Sequence, residues 1–228
     1  MQMHDTLRRV ESGSIGADLA EAFDIASAQA DAVLRVVGPE LAWALESNTL
    51  SRAGLAALVE AIGSGNHARH LDGGNVFRNA AAMADGQAIL GHLLGSRDAS
   101  RTLAARAAWQ SGVDEDRIRA MLPGLAAVTM AALDARARVS LGPILDRMPS
   151  LGRFSRGSAH ADLADILRRR CGGRPYGPAK LRRVVRRAIA QATGFAPRGA
   201  LRWYLQFMLV RPAARLISTV MGRFSAAP

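Results

Sequence analysis

The stretch Arg35-Val-Val-Gly-Pro39-Glu-Leu41-Ala42 recurs 84 positions later as Arg119-Ala-Met-Leu-Pro123-Gly-Leu125-Ala126. Both copies have the form Arg-x-x-x-Pro-x-Leu-Ala, and each lies in a long apolar-periodic segment that follows a shorter one. Repeated helical units of this kind stack on one another and share a core. The sequence therefore predicts an all-α fold, in which a multi-helical domain contains two approximate helix–turn–helix-type repeats.

The composition and the apolar periodicity agree with helices. Hydrophobic residues make up 49% of the chain and aromatic residues only 5%, and the abundant alanine, leucine and arginine are strong helix formers. Around the first motif, Val33, Val37, Leu41 and Leu45 recur every four residues and mark one helical stripe. Because the stripe continues past Pro39, we expect the helix to kink there rather than stop.

Charge divides the chain into two unlike regions. Residues 1–150 carry 14 arginines against 17 acidic residues, whereas residues 151–228 carry 16 basic residues against 2 acidic ones. Between them, glycine and proline are concentrated in residues 141–158, which predicts a linker. We therefore expect a helical repeat domain over 1–140, a linker over 141–158 and a basic, aromatic-containing helical tail over 159–228.

The tail contains a cationic amphipathic helix and an apolar run. Leu181, Val184, Val185, Ala188 and Ile189 follow one helical face, with four arginines on the other side. Further on, Trp203–Val210 is apolar and is edged by Arg202 and Arg211. We predict that an anionic surface is bound by Arg182, Arg183, Arg186, Arg187, Arg202, Trp203, Tyr204, Phe207, Arg211 and Arg215.

Three kinds of partner fit this tail: an anionic membrane surface, a nucleic acid or an acidic protein. The Trp203–Val210 run favours the membrane, because aromatic residues beside arginine suit a water–lipid boundary and phosphate contacts do not need them. The sequence also leaves open that the tail helices pack on the first domain and that their arginines are simply solvated.

Other features limit the class of protein. The single Cys171 excludes an intrachain disulfide, and Met1–Asp5 shows no secretory signal. The uncharged run Ala120–Leu133 is shorter than the roughly 20 residues that a membrane span needs, so it predicts a buried core helix. We expect a cytoplasmic protein, peripheral at the inner membrane if the tail binds lipid.

Candidate catalytic and metal-binding residues are few. His67 and His70, with Asp72 nearby and His92 beyond, have ligand-like spacing, but their glycine-rich setting predicts a solvated loop and no metal. Cys171 follows His160 by eleven residues without a nucleophile motif. The sequence predicts no catalytic residue and no cofactor, hence no enzyme, with a metal-dependent or cysteine hydrolase as a third alternative.

Two further side-chain roles are predicted within the first domain. Arg35 and Arg119, each four residues before a proline, are expected to be buried and to donate to a carbonyl that the proline leaves without its helical partner. Asp85 is expected to cap a short helix that carries Ile89 and Leu90 and ends at Gly95.

The stretch Asp85-Gly-Gln-Ala-Ile-Leu-Gly-His-Leu-Leu-Gly-Ser96 resembles the YidB-like family of uncharacterised bacterial proteins. Asn48-Thr-Leu-Ser51 leading into Gly54–Leu58 resembles the same family, as does the Pro-x-Leu helix after an acidic cap. The resemblance covers roughly residues 5–140. It implies a compact all-helical domain with no established activity, and no functional residues follow from it.

Taken with the charge, these features favour a non-enzymatic interaction module whose basic amphipathic tail engages an anionic surface, a membrane first. The alternative is a nucleic-acid-binding accessory protein that uses non-specific arginine–phosphate contacts.

Overall fold

The computed structural model describes residues 14–71, 74–145, 170–171, 174–175 and 178–194. Within them the fold is all-helical, as predicted, and the only β-pairing joins the two-residue strands β1 (Arg170–Cys171) and β2 (Arg174–Pro175). Two short 3-10 helices, η1 (His67–Leu71) and η2 (Val76–Arg78), lie between the third and fourth α-helices. The α-helices are α1 (Ser14–Phe23), α2 (Ser27–Asn48), α3 (Arg52–Gly65), α4 (Ala80–Leu94), α5 (Arg97–Ser111), α6 (Glu115–Leu145) and α7 (Pro178–Thr193).

Helix α6 runs through two hydrophobic clusters and connects them. The first cluster joins the N-terminal half of α6 to α1, α2, η2, α4 and α5, with Leu19, Val37, Phe77, Leu103 and Ile118 among its buried residues. The second joins the C-terminal half of α6 to α2, α3 and α7, with Leu45, Leu55, Leu133, Leu141 and Val185 among them. A helix that is buried on nearly all sides must be apolar on nearly all sides, which explains its uncharged run.

Burial along α6 confirms the core helix that the sequence predicts for Ala120–Leu133. From Met121 to Ala135 every residue except Thr129 is buried. Glu115–Val139 is the one described segment with the length and hydropathy of a membrane span, and 83% of its apolar window is buried in the structure. Neighbouring helices therefore cover the surface that a bilayer would otherwise have to cover.

The two repeated motifs lie in the long helices α2 and α6, each of which continues through its proline. The leucine of the motif is buried in both copies, as Leu41 in α2 and as Leu125 in α6. Arg35 and Arg119, however, are exposed, and Arg119 forms an ion pair with Asp116 one turn earlier. The prediction of buried arginines is therefore wrong. Their long side chains reach water from the outer face of each helix. The repeat relation itself stays a prediction.

Helix α4 begins earlier than the sequence predicts, because a different residue caps it. Asn79 accepts from the backbone N–H groups of Ala81 and Ala82, so the helix starts at Ala80 and Asp85 lies inside it. Gly95 closes the helix with φ 69°, as predicted. Asp85 is thereby free from capping and available to residues outside its own helix.

A close backbone approach fixes α4 against α6. At Gly86 an added Cβ would overlap the carbonyl oxygen of Pro123, and at Gly124 it would overlap the ring of Phe77. Only glycine allows the backbone of α4 to come so close to that of α6 at Gly86, and the Phe77 ring of η2 to come so close to α6 at Gly124. Helix α4 consequently lies along α6, with Asp85 at the margin of that contact.

The C-terminal end of α6 and helix α7 belong to the same compact unit as the rest of the described residues. Contacts divide the chain into Met1–Phe195 and Ala196–Pro228, and the second unit lies outside the described residues. Helix α6 continues to Leu145, into the segment 141–158 predicted as a linker. Leu181, Val185 and Ile189 of α7 are buried in the second cluster. The division into domain, linker and tail stays a prediction.

Candidate functional site

Helix α7 carries the four arginines predicted to bind an anionic surface, and it divides them into two pairs. Arg183 and Arg187 are exposed. Arg182 and Arg186 face α2 and the turn after it, where Arg182 Nη2 donates to the carbonyl of Leu50 at 3.5 Å and Arg186 pairs with Glu46 at 3.5 Å. Arg182 Nε is buried and has no hydrogen-bond partner within the described part of the chain. Two of the four guanidinium groups therefore project to solvent.

The apolar face of α7 is not available to a ligand. Leu181, Val185, Ala188 and Ile189 are at most 3% exposed because they complete the second cluster. The helix consequently presents charge without an apolar surface. The other predicted binding residues (Arg202, Trp203, Tyr204, Phe207, Arg211 and Arg215) lie outside the described residues, as does His160, and Cys171 is described only through its backbone in β1.

A group of three polar side chains lies between η1 and α4. His67 Nδ1 and His70 Nε2 each lie 2.9 Å from the same oxygen, Oδ2 of Asp85. The two rings are buried, whereas the Asp85 side chain is 26% exposed. We call these three residues the His–Asp–His cluster. Solvent reaches it from the carboxylate side.

The local backbone explains why both rings turn toward α4. Helix α3 ends at Gly65, and Asn66 takes a left-handed conformation with φ 42° and ψ 42°, which asparagine tolerates better than most residues. That turn starts η1, in which positions three apart lie on the same side. The ring of His67 folds back over Gly65, where an added Cβ would overlap it.

A buried ion pair on α6 fastens η1 independently of the two histidines. Asp134 is fully buried, and its Oδ2 accepts from the backbone N–H of Ala68 at 3.0 Å. Its Oδ1 accepts from Arg138 Nε at 2.7 Å, and Arg138 Nη2 donates to the carbonyl of Ile62 at 3.1 Å. One arginine–carboxylate pair therefore holds the end of α3 and the backbone between His67 and His70.

The charge state of Asp85 follows from its surroundings. Partial burial alone would raise the pKa of Asp85, but hydrogen bonds from His70 and His67 and the electrostatic influence of the two rings outweigh it and lower that pKa. The carboxyl is thus ionised at neutral pH. An ionised carboxylate only accepts, so both hydrogen bonds require a proton on His67 Nδ1 and on His70 Nε2.

The cluster corrects the prediction of a solvated histidine loop. The spacing of His67 and His70 does place them together, but their carboxylate is Asp85, fifteen and eighteen positions away. Asp72 lies outside the described residues, and His92 is exposed on α4 away from the cluster. His67, His70 and Asp85 are the one group of three histidine, cysteine or acidic residues within metal-binding distance in the described chain. The loop is glycine-rich, but the histidines themselves form part of the folded core.

A family model described as "Bacterial protein of unknown function (DUF937)" matches residues 5–136. The match confirms the resemblance to uncharacterised bacterial proteins. It spans the His–Asp–His cluster and ends before α7. Neither the curated proteins nor the solved structures give a match to this chain.

Proposed function

The chain belongs to this bacterial family of unknown function, and on that premise we propose that it is a non-enzymatic interaction module whose basic C-terminal third engages an anionic membrane surface. The observation that carries the proposal is the exposed pair Arg183 and Arg187 on a helix whose opposite face is buried. Such a helix holds its charges at fixed positions, so little conformational freedom is lost on binding.

We infer that α7 contributes charge, and no apolar surface, to that interaction. Because its apolar face is buried in the second cluster, α7 attracts an anionic surface by charge and does not insert into it. Apolar insertion is assigned to Trp203–Val210, whose aromatic residues suit the lipid boundary. The protein would then be peripheral at the cytoplasmic face of the inner membrane.

The runner-up is non-specific binding of nucleic acid. It is favoured by the same observation that limits insertion, since phosphate contacts need exposed arginines such as Arg183 and Arg187 and no apolar surface. Membrane binding requires the apolar side chains of Trp203 and Phe207, whereas non-specific nucleic-acid binding does not.

Vesicle co-sedimentation tests the proposal. Vesicles that contain phosphatidylglycerol should bind the full chain more tightly than phosphatidylcholine vesicles do. Arg183→Gln with Arg187→Gln should weaken binding by about 2 kcal/mol, roughly thirtyfold, at about 1 kcal/mol per basic residue. Arg97→Gln with Arg101→Gln removes the same charge from two exposed positions on α5 and should have much less effect.

The aromatic variants and duplex DNA separate the alternatives. Trp203→Ala with Phe207→Ala should weaken vesicle binding and leave a salt-sensitive remainder. Tight DNA binding with no vesicle binding and silent aromatic changes would replace the membrane by nucleic acid. An equal loss from the α5 pair would mean that net charge, and no particular surface, governs the interaction.

A further inference from the structure

We propose that His67, His70 and Asp85 bind a zinc ion. The inference is independent of the proposed membrane function, because the cluster lies between η1 and α4 and shares no residue with α7. Its three possible ligand atoms, two imidazole nitrogens and one carboxylate oxygen, lie within 4.8 Å of one another.

The separations of the ligand atoms suit Zn²⁺. Zinc binds imidazole nitrogen at about 2.0–2.1 Å and carboxylate oxygen at about 2.0–2.2 Å. Two such ligands at a tetrahedral angle are about 3.3 Å apart. The observed 2.9 Å from Asp85 Oδ2 to each ring nitrogen is a few tenths of an ångström shorter, and the two ring nitrogens lie within 4.8 Å of each other, so zinc binding requires shifts of the rings as well as of the carboxylate. Zinc would bind His67 Nδ1 and His70 Nε2, and in each neutral imidazole the ring proton would then be carried by the other ring nitrogen.

The donor set favours a transition metal over a hard cation, and zinc is a metal that uses it. Two imidazoles and one carboxylate match the ligands that zinc uses in proteins with three protein ligands and one open position. Hard cations such as Mg²⁺ and Ca²⁺ prefer oxygen ligands instead. The partial exposure of Asp85 against two buried rings leaves the carboxylate side for a water molecule in the fourth position.

The surroundings hold the ligands in place before a metal arrives. Asp134 and Arg138 fix the backbone of η1 through Ala68 and the end of α3 through Ile62. Gly86 fixes the neighbouring position on α4 against Pro123. A site supported in this way loses little freedom on binding, which favours affinity.

In the alternative, the same residues bind no metal, and the two histidines donate hydrogen bonds to the carboxylate of Asp85. Both arrangements stabilise the junction of η1 with α4. Only the metal site predicts that one zinc ion binds per chain and that it binds through these three side chains.

Isothermal titration of the untagged full chain with ZnCl₂, after treatment with a chelator, tests the proposal. One equivalent should bind saturably. His70→Gln and Asp85→Asn should each weaken binding by more than the roughly 10–100-fold that loss of a supporting residue causes. His92→Gln removes an exposed histidine from the same helix as Asp85 and should leave binding unchanged.

Two spectroscopic measurements on the unaltered protein keep the test independent of variant folding. Co²⁺ should give the intense visible absorption of a four-coordinate nitrogen–oxygen site. In ¹⁵N-edited spectra, zinc should shift the ring signals of His67 and His70 and leave those of His92 in place. The proposal is overturned by an absence of saturable binding, or by binding that the ligand variants and His92→Gln change equally. Unshifted rings of His67 and His70 would also overturn it.

Discussion

Gly65 shows how one missing side chain determines where a histidine lies. It ends α3, and the ring of His67 occupies the space that a Cβ would need. Most substitutions of glycine by alanine within a helix stabilise it, because alanine restricts the unfolded chain and favours the helix. Here that gain competes with the loss of a buried imidazole's hydrogen bond to an ionised carboxylate.

Gly65→Ala should therefore lower the free energy of unfolding, by about 1 kcal/mol or more, and weaken zinc binding. A hydrogen bond to a charged group contributes about 1.5–3 kcal/mol, which exceeds the helical gain of about 1 kcal/mol. Gly91→Ala is the matched control, since nothing lies within 4 Å of its added Cβ, and it should stabilise the protein. Urea denaturation measures both, and equal stabilisation by the two variants would contradict the role given to Gly65.

At the scale of single residues, the sequence indicates two of the three residues of the cluster but not their arrangement. The spacing of His67 and His70 is visible without a structure, and so is their ligand-like chemistry. Asp85 was assigned to a helix cap because it precedes an apolar run, but Asn79 has the better position for both free N–H groups of the first turn. The contact between η1 and α4 is a tertiary contact, and no local sequence pattern predicts it.

The packing of α4 on α6 includes one close backbone contact, between Gly86 and the carbonyl group of Pro123. The carbonyl that an added Cβ would overlap belongs to the backbone, so no rotamer change can relieve the overlap. The repeated motif marks Pro123 in the sequence. No pattern marks Gly86, its neighbour across the interface, since glycine in a helix is equally consistent with a flexible position.

Gly86→Ala should destabilise the protein by about 1–3 kcal/mol, the range for overpacking a well-packed interior, although alanine is the better helix former. Thermal unfolding followed by circular dichroism measures the change, with Gly91→Ala on the same helix as reference. A melting temperature as high as that of Gly91→Ala would show that α4 can move away from α6 without loss.

For the molecule as a whole, the all-helical class and the buried α6 followed from periodicity and composition. What periodicity could not show was the partner of each apolar face. The stripe on α7 has the same pattern whether it meets a membrane, a second copy or its own chain. Its position against Leu141 and Leu133 depends on long-range packing.

A chain that ends at residue 150 should therefore be less stable than the full chain. Leu181, Val185 and Ile189 are at most 1% exposed, and each buried aliphatic side chain contributes about 1.5–3 kcal/mol. Their removal also uncovers the apolar residues that they cover in the second cluster. Guanidinium denaturation and binding of an apolar dye measure the two effects. An unchanged unfolding midpoint without dye binding would support the boundary predicted at 141–158.

Because α7 lies near the C-terminal end of the described residues, it also affects the order in which the two hydrophobic clusters can form during synthesis. The segment that carries the family pattern is complete at residue 136, but the second cluster waits for residues as far as Ala192. At about 5–20 residues per second, that interval lasts roughly 3–11 s. During it the part of the second cluster that α7 covers in the folded protein stays exposed, and a chaperone that binds apolar surface could engage the nascent chain there.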